Sequence, residues 1–375
     1  MNMQVTEAAD GLNSGNGAEG KPQDGKAAGE RALAAFLQPV ALSVAPLVAA
    51  LLIASVLLLL MGVSPVDYYS FIVNRGLLSP SGIEATLTRM GPLLLIATSL
   101  IVAFRAGIWN LGGDAQFLLG AVFVAALAPV LTAHMPVWAV LLIALAVGAA
   151  AGAAWSVVPA LLRAYQGVNE IITTMMMTFL GISFANVLVK LFFLDPATTV
   201  PQTRTLPVED RLPRLFDTTV SSGVLIGLVA ILVVHYVMAK TAFGLKLRVV
   251  GANARAAVHA GLPVAALTVA VFAISAGFAG LAGAVAVLGQ YGNVRADWNP
   301  AYTLTIVPLV FLARFNGFAT IAYVFFFSVL SIGSESAARR LGVPNYFTLV
   351  TMAILLILLG ITEMLDQRRR DRRRT

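Results

Sequence analysis

Long apolar runs separated by short polar stretches cover the chain from about residue 40 to residue 364. They fall at 40–63, 86–104, 112–132, 137–162, 171–194, 220–238, 264–288, 302–313, 318–334 and 346–364. A helix needs about 20 consecutive apolar residues to cross the hydrocarbon of a bilayer. Most of these runs meet that length. The run at 302–313 is short, and reads as a broken or re-entrant helix, or as one that merges with its successor. The pattern predicts an all-α polytopic membrane protein with nine to ten transmembrane helices.

Outside this block the pattern lapses. Residues 1–35 are rich in Gly, Ala, Asn, Asp and Lys without apolar periodicity, and read as a disordered cytoplasmic tail. No short apolar stretch with a cleavage site follows a basic start, so this segment does not read as a secretory signal. Residues 36–366 form the expected permeation domain, and 367–375 a basic cytoplasmic tail.

Orientation follows from the basic residues of the loops, which favour the cytoplasmic side. The loop 239–263 holds Lys240, Lys246, Arg248 and Arg255 and no acid. Arg105, Arg163 and Arg314 sit at short turns predicted on the same side. The proline-rich loop 195–219 has three Arg against four acids and is expected outside. Both termini are then expected to be cytoplasmic, which requires an even number of spans and favours ten. On this scheme Arg339 and Arg340 fall outside.

Composition agrees with a membrane protein. Of 375 residues 59% are apolar and 11% charged, and mean hydropathy is +0.86. Soluble domains carry roughly 25% charged residues. The net charge of +7 raises nucleic acid as a partner, but six of the 25 basic residues lie in the last eight positions. There they read as an anchor against the lipid bilayer, with no nucleic-acid role. With no cysteine, thiolate metal sites and cysteine nucleophiles are excluded, and His134, His235 and His259 lack metal-ligand spacing. No phosphate-cradling G-x-x-x-x-G-K-[ST] loop occurs, so ATP-driven transport would need a separate nucleotide-binding chain. No cofactor is expected. No catalytic Ser-His-Asp or paired-His motif is found, which argues against an intramembrane enzyme.

Two polar interruptions carry the candidate chemistry. The first is Asn110-Leu111-Gly112-Gly113-Asp114-Ala115-Gln116, and the second begins Asn169-Glu170-Ile171-Ile172-Thr173-Thr174. Polar groups inside hydrocarbon are costly and persist where they line a cavity or join helices. On a helix 110 and 114 share a face, as do 113 and 116, 169 and 173, and 170 and 174. Amides and carboxylates can hydrogen-bond the hydroxyls of a neutral substrate, and no arginine cluster is present for a phosphate. Asn110, Asp114, Gln116, Asn169, Glu170, Thr173 and Thr174 are therefore candidates for the substrate path. The same groups could form an inner gate, cap helix starts, or bond helix to helix without meeting substrate.

Other positions leave two readings each. Arg89 could pair with Asp114 or Glu170, and Lys190 reads as snorkelling to an interface. Ser331 and Glu335 are either vestibule lining or packing contacts. The run Met175-Met176-Met177 reads as flexible core filling. Small residues recur fourfold at Ala144, Gly148, Gly152 and Ser156, at Ser275, Ala279 and Gly283, and at Ala276, Gly280 and Ala284. Such stripes allow close helix packing within a subunit or between subunits. In the basic loop, Gly244, Gly251 and Gly261 bracket two short amphipathic pieces, with Asn253 placed to cap the second. Short helices between glycine hinges suit docking to a soluble partner.

The two polar motifs and the segment from Gly244 to Gly261, in that order, resemble the permeases of bacterial ABC importers for nucleosides and simple sugars. That group lies within the branched-chain amino acid and ribose permease superfamily. Its first motif usually reads asparagine-isoleucine-glycine, a variable residue, then glutamate-glycine-glutamine, whereas Asp114 and Ala115 stand here. The resemblance implies a multi-pass protein of the bacterial cytoplasmic membrane that performs no covalent chemistry. It implies ABC ATPase subunits docked below, a second permease subunit, identical or homologous, and an extracytoplasmic substrate-binding protein. By similarity, Gly244, Arg248, Gly251, Asn253, Ala256, Ala257 and Gly261 match the segment that couples to the ATPase. Nucleoside import is the expected function, with simple-sugar import as its alternative. An ion-coupled secondary transporter would show similar broken helices and buried acids.

Overall fold

Helix start and stop signals set the elements. The computed structural model describes residues 44–344 and 346–372. The expected tail at 1–35, the first residues of the first apolar run and residues 373–375 lie outside the described residues. The helices are α1 (Val44–Leu60), α2 (Pro65–Val73), α3 (Pro80–Arg105), α4 (Gly113–Leu131), α5 (Val137–Trp155), α6 (Val157–Gln166) and α7 (Glu170–Val187). They continue as α8 (Gly223–Lys240), α9 (Ala242–Ala252), α10 (Ala254–His259), α11 (Val264–Ala286), α12 (Tyr302–Leu312), α13 (Gly317–Leu341) and α14 (Phe347–Arg372). Ser64 and Ser79 cap α2 and α3, each followed by proline at the first helical position. Asn169, Thr241, Asn253 and Asn316 cap α7, α9, α10 and α13. Left-handed Gly167 and Gly342 close α6 and α13.

The span count corrects the sequence reading. Among the described residues seven helices are long and apolar enough to cross a membrane, rather than nine to ten. Three further apolar helices, Val44–Leu60, Tyr302–Leu312 and Phe347–Thr362, are shorter. Hydropathy counts every apolar run as a crossing, but an 11-residue helix such as α12 reaches only about 16 Å, half of the hydrocarbon thickness. The parity argument that placed both termini on the cytoplasmic side depended on ten spans and falls with that number. The chain remains an all-α, multi-pass membrane protein.

Small residues place α11 at the centre. In the most apolar windows of α3, α4 and α11, 83%, 67% and 72% of residues are buried, against 28%, 22% and 33% in the spans of α5, α7 and α8. The first three form the inner layer, and the others present apolar faces outward. Gly280 of α11 meets the backbone of Gly148 and Gly152 of α5 and of Gly120 of α4, while Gly283 meets Phe117 of α4. A Cβ at Gly120, Gly152, Gly280 or Gly283 would strike backbone and one at Gly148 would strike the Ala284 Cβ, so the fourfold stripes serve packing inside the subunit.

The two ends of the bundle differ. At one end α9 and α10 lie under the turn after α3, with Gly251 against Gly107. At the other end the segment 195–222 folds over the start of α3 and the end of α11. Ser221 N–H donates to Thr88 Oγ1 at 3.2 Å, and Leu212 N–H donates to the Leu288 carbonyl at 3.0 Å.

Candidate functional site

After Arg105 the chain does not continue straight into the next helix. Gly107 adopts φ +69°, the left-handed region that favours glycine, and residues 108–112 run back into the bundle without helical structure. Asn110 thereby reaches Ser275, near the midpoint of the helix Val264–Tyr291. Its side-chain N–H groups donate to Ser275 Oγ at 3.0 Å and to Gln116 Oε1 at 3.1 Å. Its Oδ1 accepts from Gln116 Nε2 at 3.2 Å and from Gly112 N–H at 3.1 Å. Ser275 and Ser99 share a further hydrogen bond at 3.0 Å. Asn110 and Gln116 are each 1% exposed. This knot pins the returning segment to α3, α4 and α11.

The second polar motif holds the same segment from the other side. Thr174 Oγ1 accepts from Leu111 N–H at 3.2 Å, and Thr178 Oγ1 donates to the Leu111 carbonyl at 3.0 Å. Glu170, buried in the first turn of α7, pairs with Arg163 at 3.3 Å. Asn169 caps α7, accepting from Ile171 and Ile172, and Thr173 bonds back to the carbonyls of Asn169 and Glu170. The structure thus brings Asn110, Gln116 and Thr174 to one segment. Asn169 and Thr173 stay at the helix start, away from it.

Asp114 joins two helix starts inside the bundle. Its Oδ1 accepts the backbone N–H of Thr303 at 2.9 Å, in the first turn of α12. From this meeting point α4 runs toward the end covered by 195–222. In the opposite direction, α12 runs to the end carrying α9, where Arg105 Nη2 donates to the Phe315 carbonyl at 3.0 Å. A buried carboxylate at two helix N-termini is favourably placed against their positive dipole ends. Interrupted helices that start inside the bundle are the form in which transporters build a path.

An apolar cleft of about 540 Å³ lies beside this segment, lined by Trp109, Phe311, Phe315, Leu356 and Leu359. Among the described residues, Arg314 is the one charged residue on its wall. Such a lining suits an apolar neighbour better than a hydroxylated substrate.

Residues 82–359 match the family of branched-chain amino acid transport system permease components. The chain belongs to this family. It is 30% identical over 334 residues to the glucose ABC transporter permease of Haloferax volcanii, covering 86% of this chain and 87% of that protein. It is 28% identical to the guanosine ABC transporter permease of Bacillus subtilis, over 81% of this chain and 88% of that one. It is 26% identical to the nucleoside ABC transporter permease of Lactococcus lactis, over 81% and 86%. No solved structure matches the chain. The protein is thus a membrane-embedded ABC-type permease, a transport protein. Among the described residues no group of three or more His, Asp or Glu could hold a metal ion.

The permease carries its glycine-bracketed segment as two capped helices. Gly244 packs on the last turn of α8, against Val237 and Met238. Gly251 abuts Ala106 and Gly107, at the root of the returning segment. Asn253 Oδ1 accepts Ala256 N–H at 3.0 Å and starts α10. Ala257 is fully buried and Ala256 exposed, while Gly261 at φ +76° turns the chain into α11. Arg248 is exposed and near enough to Arg105 for their charges to repel.

Three polar arrangements escaped the sequence reading. Arg89 pairs with neither Asp114 nor Glu170. It pairs with Glu335 at 2.8 Å and bonds Ser331 at 3.1 Å, because α13 rather than α4 or α7 faces that part of α3. Lys190 pairs with Asp297 at 3.1 Å, both exposed. Ser99 and Ser275 anchor Asn110, although Ser275 reads in sequence as one member of a small-residue stripe. The signal for the first was present: a lone arginine inside an apolar run needs an acid, and Glu335 is the acid of α13, one residue past its apolar run.

Proposed function

We propose that this permease is the membrane-spanning subunit of an ATP-driven importer that translocates nucleosides by alternating access. The observation that carries the reading is family membership across residues 82–359, joined to relatives whose names state guanosine and nucleoside transport. Import of a simple sugar is the second reading, favoured by the 30% identity to a glucose permease. Both substrates are neutral and polyhydroxylated, and amides and hydroxyls rather than an arginine cluster surround the returning segment. The ABC-type family also displaces the ion-coupled transporter as a reading of Asp114 and Glu170.

Family membership implies the partners: two ATPase subunits, a second permease chain, identical or homologous, and an extracytoplasmic substrate-binding protein. The membrane is the bacterial cytoplasmic membrane in this reading. ATPase subunits dock on α9 and α10, and the segment 239–263 is cytoplasmic. Their closure moves Gly251 against Gly107, which shifts the segment 106–112 held by Asn110, Gln116 and Thr174. That segment acts as the inner gate.

Uptake of radiolabelled guanosine and of glucose, in cells with and without this gene, tests the proposal. Loss of guanosine uptake on deletion is expected. Loss of glucose uptake instead selects the second reading, and unchanged uptake of both removes the substrate assignment. Mild-detergent pull-down of the tagged chain should recover an ATPase and a binding protein. Recovery of the chain alone, after crosslinking and in several detergents, contradicts the partner assignment.

A further inference from the structure

Among the described residues, one buried donor without a partner, Arg89 Nε, lies away from the returning segment. The Asn110–Gln116–Ser275 knot is closed on itself. A second polar cluster, on α3, α13, α12 and the residues just after α11, is not. Arg89 is 6% exposed, and its Nη1 donates to Glu335 Oε1 at 2.8 Å and to Ser331 Oγ at 3.1 Å, yet its Nε is buried without a partner. The helix α12 and residues 287–291 also pack on α3, and there the hydroxyls of Tyr291 and Tyr302 lie 3.4 Å apart. Gln290, adjacent in sequence to Tyr291, buries its Oε1 without a partner. Buried polar atoms are nearly always paired, so the orphaned Nε of Arg89 marks a place where a ligand completes the bonding.

The cluster is also accessible. The Glu335 side chain is 45% exposed while that of Arg89 is 7% exposed, so the pair runs from an accessible space into the interior. It lies toward the end covered by 195–222, since Glu84, five residues before Arg89, accepts from Thr219 N–H at 3.3 Å. That end is opposite α9 and α10. An ionisable pair in a span that meets accessible space marks a transport path.

We propose that Arg89, Ser331 and Glu335 form a substrate-contact station that grips a vicinal diol. The guanidinium donates to one hydroxyl oxygen, and the Glu335 carboxylate accepts from the neighbouring hydroxyl. The Arg–Glu pair is neutral as a unit, so a neutral polyol enters without stranding a charge, whereas Glu335 repels a phosphate ester. Ribose and hexoses share this diol chemistry. The inference rests on the proposed import of nucleosides or sugars and names what is recognised there.

The test compares uptake of guanosine with 2′-deoxyguanosine, and of glucose with 3-deoxyglucose, in cells carrying the full-length wild type, Glu335→Gln or Ser331→Ala, with membrane abundance measured by immunoblot. The wild type is expected to prefer the intact diol, with the responding pair naming nucleoside or sugar as its source. Glu335→Gln is expected to reduce that preference about tenfold, as for loss of a charged hydrogen bond. Ser331→Ala, which removes only one partner of Arg89, is expected to reduce it less, and decides the matter if Glu335→Gln fails to reach the membrane. A purely structural ion pair would lower abundance and uptake of both members of a pair equally. Unchanged preference in variants present at wild-type abundance overturns the station and leaves the importer reading intact. Uptake of neither substrate by the wild type overturns both.

Discussion

Asn110 makes four side-chain hydrogen bonds in a volume from which water is excluded, and this determines what its loss should cost. Removing the amide leaves Gln116 and Ser275 buried with fewer partners, and an orphaned buried polar group costs about 1–3 kcal/mol. Asn110→Ala should therefore lower the Tm of the detergent-purified protein, and a Tm equal to wild type would show that the knot does not hold the segment. Glu170 should behave differently. Its partner Arg163 has a side chain 40% exposed, and such pairs are worth no more than about 1 kcal/mol. Glu170→Ala should reach the membrane at near wild-type abundance but lower uptake. If abundance alone falls, the carboxylate has only a structural role. At this scale the sequence marked the polar positions but not their partners. Asn110 and Ser275 are 165 residues apart, and Arg89 and Glu335 are 246 apart. No local period relates positions so distant, and only the packing of α3, α11 and α13 brings them together.

Helices with a strong local signature were legible as elements, and their lengths less so. Asn253 before a run of alanines marks the start of α10, and the structure has its side chain accepting from Ala256. The apolar run at 302–313 stands out as short, and α12 is a half-length helix starting beside Asp114. The number of spans was misread because hydropathy measures composition and not reach, as the 11-residue α12 shows. The turn that sends 108–112 back into the bundle depends on Gly107 and on the contact between Gly107 and Gly251, which no periodicity encodes. That contact yields a prediction for the element. A Cβ at position 251 would sit 2.8 Å from the Ala106 carbonyl carbon and 2.9 Å from Gly107 N, both backbone atoms that cannot give way cheaply. Gly251→Ala should push α9 off the returning segment. Uptake should fall while the protein still reaches the membrane and still co-purifies with its ATPase. Full uptake by this variant would remove the relay through Gly107.

Across the whole molecule, the charge distribution separates the two ends. The segment 239–263 carries Lys240, Lys246, Arg248 and Arg255 without an acid, while the segment over the other end mixes both signs. Arg248 is exposed on α9, so its side chain contributes little to the stability of the bundle, and reversing its charge should leave folding and insertion intact. The same reversal acts strongly on any soluble partner that approaches this end, because a like-charge contact at an interface costs several kcal/mol. Repulsion between Arg248 and Arg105 would also turn into attraction, drawing α9 toward the end of α3. Arg248→Glu should therefore be present in the membrane at wild-type abundance and fail to transport. Less ATPase should be recovered in a pull-down, and the loss should be partly relieved by raising ionic strength in a reconstituted assay, since exposed charges are screened over about 10 Å at 0.1 M salt. Wild-type uptake by this variant at equal expression would exclude α9 as the docking surface and leave the exposed face of α10, with Arg255 and Ala256, as the remaining contact in the segment.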